Sequence, residues 1–318
     1  TRLSGFIKTT NRHVRRLIQT DQNRKKKICR VYFNDKDMKI GLVDIDGHGY
    51  PNIALMKIST FYKQLCHVVE LATIGHYDKL YMSKIFNFTS DFEPSFITAD
   101  EIIKGGSGYN IASKLPPEID SCDPDYSIYP QHDFSLQFYS RGCVRKCPFC
   151  IVREKEGYIT TVKPMKLNPN GKHIKVLDNN FFANPDWQFA IDDLKSTKQR
   201  IDLQGIDVRT ITEEQAKELS TLKLYKQLHI AWDNPKDNLI DRLKMLIKFI
   251  KPYKIMCYVL IGYWSTPEQD LYRVEELRKL GISPFVMPYN KLDPYQKRFA
   301  RWVNHKAIFK TVAWENYI

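Results

Sequence analysis

"IMCYVLIGYWSTPEQDLYRVEELRKLGISPFVMP", Ile255–Pro288, contains a full strand–helix–strand passage. Ile255–Ile261 is an apolar strand-like run. Thr266–Gln269, "TPEQ", is a capping box, in which the threonine hydroxyl accepts from the fourth residue's amide and the glutamine reaches back. Gly281 supplies the helix stop, and the next apolar run begins near Pro284. Working backwards, similar runs begin near Phe134, Ile174, Ile201 and Leu228. From Ile174 onwards their spacing is about 27 residues, the size of one βα unit.

The segments between these runs carry helix signals. "NPDWQFAIDDLK" has Asn184 as an N-cap, Pro185 at the first helical position, and Trp187, Ile191 and Leu194 on one face. "TEEQ" (Thr212–Gln215) is a second capping box. "NPKDNLIDRLKMLIKFI" places Leu239, Leu243, Leu246 and Ile250 in one stripe. The fold class expected is α/β. Residues 133–290 should form six parallel strands with right-handed crossovers, a partial (βα)6 TIM-type barrel rather than a closed eight. Residues 291–318 should be a helical segment. Its basic, amphipathic stretch Tyr295–Lys310 is expected to pack Phe299, Trp302, Val303 and Ile308 against the barrel.

Upstream, residues 38–114 read as a small Rossmann-like α/β domain. The expected elements are strand 39–45, a Gly-rich loop, a helix around 51–64, strands 67–71, 79–83 and 101–104, then "GGSGYN". Residues 115–132 are rich in Pro and Asp and read as an extended linker. Of the net charge of +13, residues 1–37 hold +8, leaving +5 for the rest. Those 37 residues are expected to be an unfolded upstream extension, with Met38 as the natural start; the competing reading is a basic arm that meets an acidic partner. Nucleic acid therefore stays open as a partner, but the bulk charge does not argue for it. No run of about 18 apolar residues is present, so no membrane partner is expected. With no secretory signal visible, the expected location is the cytoplasm.

Seven cysteines is an odd count. Three of them, Cys143, Cys147 and Cys150, fall in "RGCVRKCPFC" (Arg141–Cys150) with C-x3-C-x2-C spacing, directly after the first barrel strand. Barrel chemistry gathers at the C-terminal strand ends, so this loop belongs at the mouth. A structural zinc site wants four ligands. Cys122 offers a fourth, which leaves a zinc or Fe–S binding module open, with or without nucleic acid. Cys257 reads as core, and Cys29 and Cys66 have no partner nearby in sequence. A 4Fe–4S cluster held by three thiolates keeps one iron open for a reacting ligand.

The C-x3-C-x2-C run, with Phe149 before the third cysteine and a βα barrel behind it, resembles the signature of the radical SAM superfamily over residues 133–290. The resemblance implies a 4Fe–4S cluster on Cys143, Cys147 and Cys150. It also implies S-adenosyl-L-methionine (SAM) on the open iron and an external electron donor of flavodoxin or ferredoxin type. Reductive cleavage of SAM would give a 5′-deoxyadenosyl radical that takes hydrogen from a substrate. Carried over strand end by strand end, Asp178, Asn179 and Asn180 match the segment that holds the methionyl amine. Gln204, Asp207 and Arg209 follow strand three, Arg209 being suited to clamp a carboxylate. Trp232 and Asp233 follow strand four, Asp233 standing where the ribose is contacted. Gly262 lies beside the adenine, and Tyr289 and Asn290 are at the rim.

The N-terminal half resembles the cobalamin-binding-like domain that often precedes such barrels. Asp46 and His48 stand in "DGHGYP", but Pro51 takes the place of the family's glycine. "SKI" (Ser83–Ile85) and Gly105–Gly106 follow at shortened spacings. A degenerate domain shaping the substrate entrance is the favoured expectation. Cobalamin as a cofactor, and with it a cobalamin-dependent radical methyltransferase, is the alternative.

Overall fold

Apolar runs of four to seven residues become strands here because each is covered by a helix on at least one face. The computed structural model describes residues 37–47, 49–93 and 95–317. Cys29 and the basic extension up to residue 36 lie outside the described residues, as does His48. The protein is mixed α/β with parallel sheets, and it divides into two compact units, Thr1–His132 and Asp133–Ile318. Among the described residues no helix is long and apolar enough to cross a membrane.

The first unit carries β1 (Lys39–Asp44), α1 (Ile53–Gln64), β2 (Val68–Leu71), β3 (Gly75–Ser83) and β4 (Ile97–Gly105). The strands form one parallel sheet in the order β2-β1-β3-β4. Asn52 caps α1 by accepting from the Ala54 and Leu55 amides. Strands β3 and β4 begin four residues before their apolar runs. Each early stretch has a single buried residue, Tyr77 in β3 and Ile97 in β4, among mostly exposed ones, so ladder pairing marks it as strand.

Residues 115–132 are not an extended linker. They form a short helix, α2 (Pro117–Asp120), and a 3-10 turn, Tyr126–Ile128. Ile119, Tyr126, Ile128 and Tyr129 are buried with Ile40, Leu42, Leu55 and Met56. The acidic residues that suggested a linker tie this segment to α1. Lys57 Nζ donates to Asp120 Oδ1 at 2.7 Å, and Ser59 Oγ to Asp125 Oδ2 at 2.7 Å. Cys66 is disulfide-bonded, whereas its sequence neighbourhood had suggested no partner.

The second unit carries β5 (Phe134–Gln137), β6 (Ser140–Arg141), α3 (Val152–Lys155), β7 (Thr160–Thr161), β8 (His173–Val176) and α4 (Trp187–Ser196). It continues through β9 (Arg200–Leu203), α5 (Glu213–Ser220), β10 (Leu228–Ala231), α6 (Ile240–Phe249), β11 (Ile255–Ile261), α7 (Pro267–Lys279) and β12 (Ser283–Pro288). All six expected strands are therefore present. They form two parallel sheets, β5-β8-β9 and β10-β11-β12, with a parallel bridge Ile206↔Ile230 between them. Alternate residues such as Ile174, Ile201, Leu228 and Cys257 enter one apolar core with the helices. Helix α8 (Pro294–Asn304) adds Phe299, Trp302 and Val303 to that core, and Ile308 from α9 (Lys306–Thr311) packs against it.

Both capping boxes form, at Thr212–Gln215 and Thr266–Gln269. Asn184 does not cap α4. Its side chain accepts from the Asp186 amide, so Asn-Pro makes a turn and the helix starts at Trp187. Similarly, α6 starts at Ile240, five residues after its Asn-Pro pair ends.

Asp270 and Arg273 on α7 have no exposed side-chain surface. They bond at 2.7 Å, and Arg273 also donates to the Trp232, Asp233 and Leu260 carbonyls at 2.8, 3.0 and 2.9 Å. One guanidinium thus ties the ends of β10 and β11 to the helix that follows them. Removing one member of such a pair strands a buried charge. Arg273→Met is expected to lower unfolding free energy by about 3–5 kcal/mol, with part recovered in Asp270→Asn/Arg273→Met. Urea unfolding of the three variants measures this, and a surface-like loss below about 1 kcal/mol would contradict it.

Candidate functional site

Between β6 and β7 the chain makes the cysteine loop, closed at its base by the antiparallel pairs Ser140↔Thr161 and Arg141↔Thr160. Three carboxylates determine where the loop sits. Asp178, just after β8, accepts from the Tyr139 amide at 2.9 Å and from the Ser140 hydroxyl. Burial pushes Asp178 up to about 6, against those hydrogen bonds. Glu156 accepts from Arg141 through both oxygens, at 2.6 and 3.1 Å. It also accepts from the Gly142 amide and from Asn179 Nδ2, each at 2.9 Å. Burial opposes its ionisation, but Arg141 and the Gly142 amide hold Glu156 below the usual carboxylate range. Asp207 accepts from Arg209 at 2.7 and 3.1 Å and from Arg145 at 3.0 Å. Its carboxyl is also held low against burial, here by the two guanidiniums.

The loop so anchored lines a cavity of about 200 Å³. Cys143, Cys147, Phe149 and Cys150 come from the loop, Asn179 and Asn180 from the end of β8, and Gln204, Asp207 and Arg209 from the end of β9. Asp233 follows β10, and Tyr258 lies on β11. Phe149 packs edge-on against Tyr263 and Trp264, with ring centroids 5.7 and 5.8 Å apart. Burial pushes the Cys147 thiol up, while Arg209 pulls it back. The Arg145 amide donates to Cys143 Sγ at 3.3 Å, and Arg153 donates to the Cys143 carbonyl at 3.1 Å. Burial raises Asp233. The buried Asn180 Oδ1 has no hydrogen-bond partner among the described residues.

Two expected cofactor contacts lie elsewhere. Asp178 is outside the lining and fastens the loop from behind. It stays close to the site because Gly205 has no side chain; a Cβ there would stand 1.7 Å from the Asp178 carbonyl oxygen. Gly262 is also outside the lining. Its φ of +76° and a Cβ clash at 2.1 Å with Gln296 Nε2 explain the glycine through packing. Arg209 does line the cavity, but its fork is taken by Asp207, with Asp237 3.6 Å away. An external carboxylate would have to compete with both.

In the first unit, Asp46 accepts from the Ile85 and Phe86 amides and from the Thr89 hydroxyl, so it pins the loop after β3. The Cys122 thiol donates to the Glu118 carbonyl. Arg145, Glu156 and Asp237 were not anticipated. Opposite charges at Arg141 and Glu156 bracketing the cysteine run are the one signal that could have suggested Glu156.

Among the described residues no three His, Cys, Asp or Glu side chains are gathered tightly enough to hold a single metal ion. The three thiols instead stand around one cavity. No family model matches the chain, and no curated protein matches it.

Asp178 has a raised folded-state pKa, so its ionisation opposes folding. Relative to Asp178→Asn, the wild type should lose stability as pH rises from about 4 to about 6 and then level off. The raised carboxyl, about 6 against 3.8, corresponds to a difference of about 3 kcal/mol. Paired urea titrations across that range test it; a constant difference between the two proteins would refute the assignment.

Proposed function

We propose that the chain is a radical SAM enzyme, with a partial (βα)6 barrel preceded by a degenerate cobalamin-binding-like domain. The observation that carries the reading is the convergence on one cavity of three thiols with side chains following β8, β9 and β10. The six strands in chain order, with helices after β8 to β11, support the barrel.

The donor set fits an iron–sulfur cluster. Of the cavity's carboxylates, Asp207 is engaged by two arginines and Asp237 lies near Arg209, and the three thiols are the soft ligands that suit iron–sulfur. Three thiolates around a space of about 200 Å³ suit a body larger than one ion and leave one coordination position open. Cys143, Cys147 and Cys150 would hold it. A bound 4Fe–4S cluster would supply the electron, taken from a flavodoxin- or ferredoxin-type donor, that releases a 5′-deoxyadenosyl radical from SAM for hydrogen abstraction.

The remaining work belongs to this chain's residues. Arg209 beside Cys147 favours its thiolate. Asn180 Oδ1 offers a buried acceptor of the kind an α-ammonium satisfies. Phe149, Tyr263 and Trp264 form an aromatic cluster beside the thiols. Asp46 is engaged in holding the loop after β3, which favours a structural part for the first unit over a corrinoid site.

Anaerobic reconstitution of the full chain with iron and sulfide tests the reading. The expected result is about four irons with acid-labile sulfide per chain, a dithionite-reducible spectrum and 5′-deoxyadenosine from SAM. All of these should be absent in Cys143→Ala/Cys147→Ala/Cys150→Ala. Zinc without sulfide would replace this reading with a non-catalytic metal-binding or nucleic-acid-binding module. A corrinoid spectrum would favour the methyltransferase.

A further inference from the structure

At the end of the second unit's strands opposite the cysteine loop, three consecutive connections each carry two cations. Lys198 and Arg200 lead into β9, Lys223 and Lys226 into β10, and Lys251 and Lys254 into β11. No window of the sequence shows a basic run, because the βα repeat sets the pairs about 27 residues apart. The fold brings them together. The Ile201 amide donates to the Lys223 carbonyl at 2.8 Å and the Tyr225 amide to the Ile201 carbonyl at 2.7 Å, which lays the second loop against the start of β9. Gln227 Nε2 donates to the Tyr253 carbonyl at 2.8 Å, joining the third loop to the second. Lys306 Nζ, from α9, donates to Gln227 Oε1 at 3.3 Å and adds another cation.

The six loop cations are exposed, and none has a carboxylate partner among the described residues. Residues 196–201, 219–227 and 250–255 contain no Asp or Glu. Nearby Lys172 and Lys195, by contrast, pair with Asp133 and Glu218. Helix C-termini attract cations, but Lys195, Lys217 and Lys248 already stand in the last turns of α4, α5 and α6, and the loop pairs come in addition. Lys226 is held at φ +73°, where glycine would be relaxed and lysine is not. Like charges on one rim repel one another, and an anionic partner removes that repulsion.

We propose that this rim is a docking surface for single-stranded nucleic acid. It lies apart from the cysteine cavity, so the proposal stands or falls independently of the cluster. Unpaired cations on adjoining loops call for a polyanion. Tyr253 narrows the choice to one with bases. Its ring is 62% exposed, stands between Lys251 and Lys254 in sequence, and makes no ring contact among the described residues. An unpaired base stacks on such a face while neighbouring ammonium groups meet its phosphates; in a duplex the base faces are already covered. Tyr225 is occupied, stacked 3.8 Å from His173 with Lys226 Nζ 5.2 Å from its ring centre. An anionic membrane is the weaker match. Membrane-binding faces set exposed Leu, Phe or Trp beside their cations, whereas here Leu222 is buried and Leu224 half-buried.

The full chain, without added iron or SAM, is titrated by fluorescence anisotropy against a labelled uridine oligomer of about 12 nucleotides. Wild type should bind, more weakly as salt rises. Lys223→Gln/Lys226→Gln/Lys254→Gln should weaken binding by about tenfold or more and lower the log–log salt slope by about 2, roughly 0.7 per lost phosphate contact. Tyr253→Ala should weaken it about fivefold or more with the slope unchanged, as loss of a stacked base does. Lys236→Gln/Lys244→Gln/Lys291→Gln removes three exposed lysines outside the rim and should bind like wild type. Thermal transitions check that each variant is folded. No binding by wild type overturns the proposal, as does wild-type affinity in the rim triple, which would mean that charge elsewhere, such as that of residues 1–37, suffices. So does an equal loss in the control triple, unchanged affinity in Tyr253→Ala, or competition by phosphatidylserine vesicles as effective as that by unlabelled oligomer.

Discussion

A loop carrying three thiols has no internal reason to adopt one shape. Its conformation is imposed by carboxylates that accept main-chain hydrogen bonds at its start. Asp178 takes the Tyr139 amide and the Ser140 hydroxyl; Glu156 takes the Gly142 amide together with Arg141 and Asn179. Both are largely buried, where each unmet acceptor costs more than a made bond returns. The loop therefore cannot drift without leaving charge unpaired. Asp178 reaches its position because β8 runs beside β5, which puts residues about forty apart in sequence within hydrogen-bond distance, whereas Glu156 folds back onto the loop from the end of α3.

The same constraint links the cavity to its frame. Gly205 lets the chain after β9 lie against the Asp178 backbone, and Asp207 then gathers Arg145 from the loop and Arg209 from its own turn. Arg273, fully buried on α7, binds carbonyls at the ends of β10 and β11 and so fixes the opposite wall, where Asp233 stands. Positive and negative groups inside the frame neutralise one another. The thiols, the Asn180 carbonyl oxygen and the Asp233 carboxylate are among the groups the cavity presents to a ligand.

Much of the fold was legible because strand and helix periods survive in the sequence. The six strands of the second unit, both capping boxes and the buried stripe of α6 stand where the pattern puts them. Boundaries failed where local chemistry has two uses. Asn184 followed by Pro185 fits an N-cap, but here it makes a turn. The Pro- and Asp-rich segment after Leu115 looks like a linker, yet its four apolar residues complete a core and its acids pair with α1. At the site, Cys143, Cys147, Cys150, Phe149, Asn179, Asn180, Gln204, Arg209 and Asp233 share one cavity, while Asp178 and Gly262 belong to its support.

By itself the sequence determined the six longer strands of the second unit, the helices between most of them, and that three thiols follow the first of those strands. Those are properties of short windows, in which period and spacing are preserved. Only the tertiary structure decided which polar residues face the cavity and which hold it. Asp178 and Asp207 are the same residue type at neighbouring strand ends; one fastens main chain and the other pairs arginines. Asp270 and Arg273, spaced like a surface helix pair, are instead fully buried. Burial and partner identity depend on which strands lie side by side, and no local window carries that information.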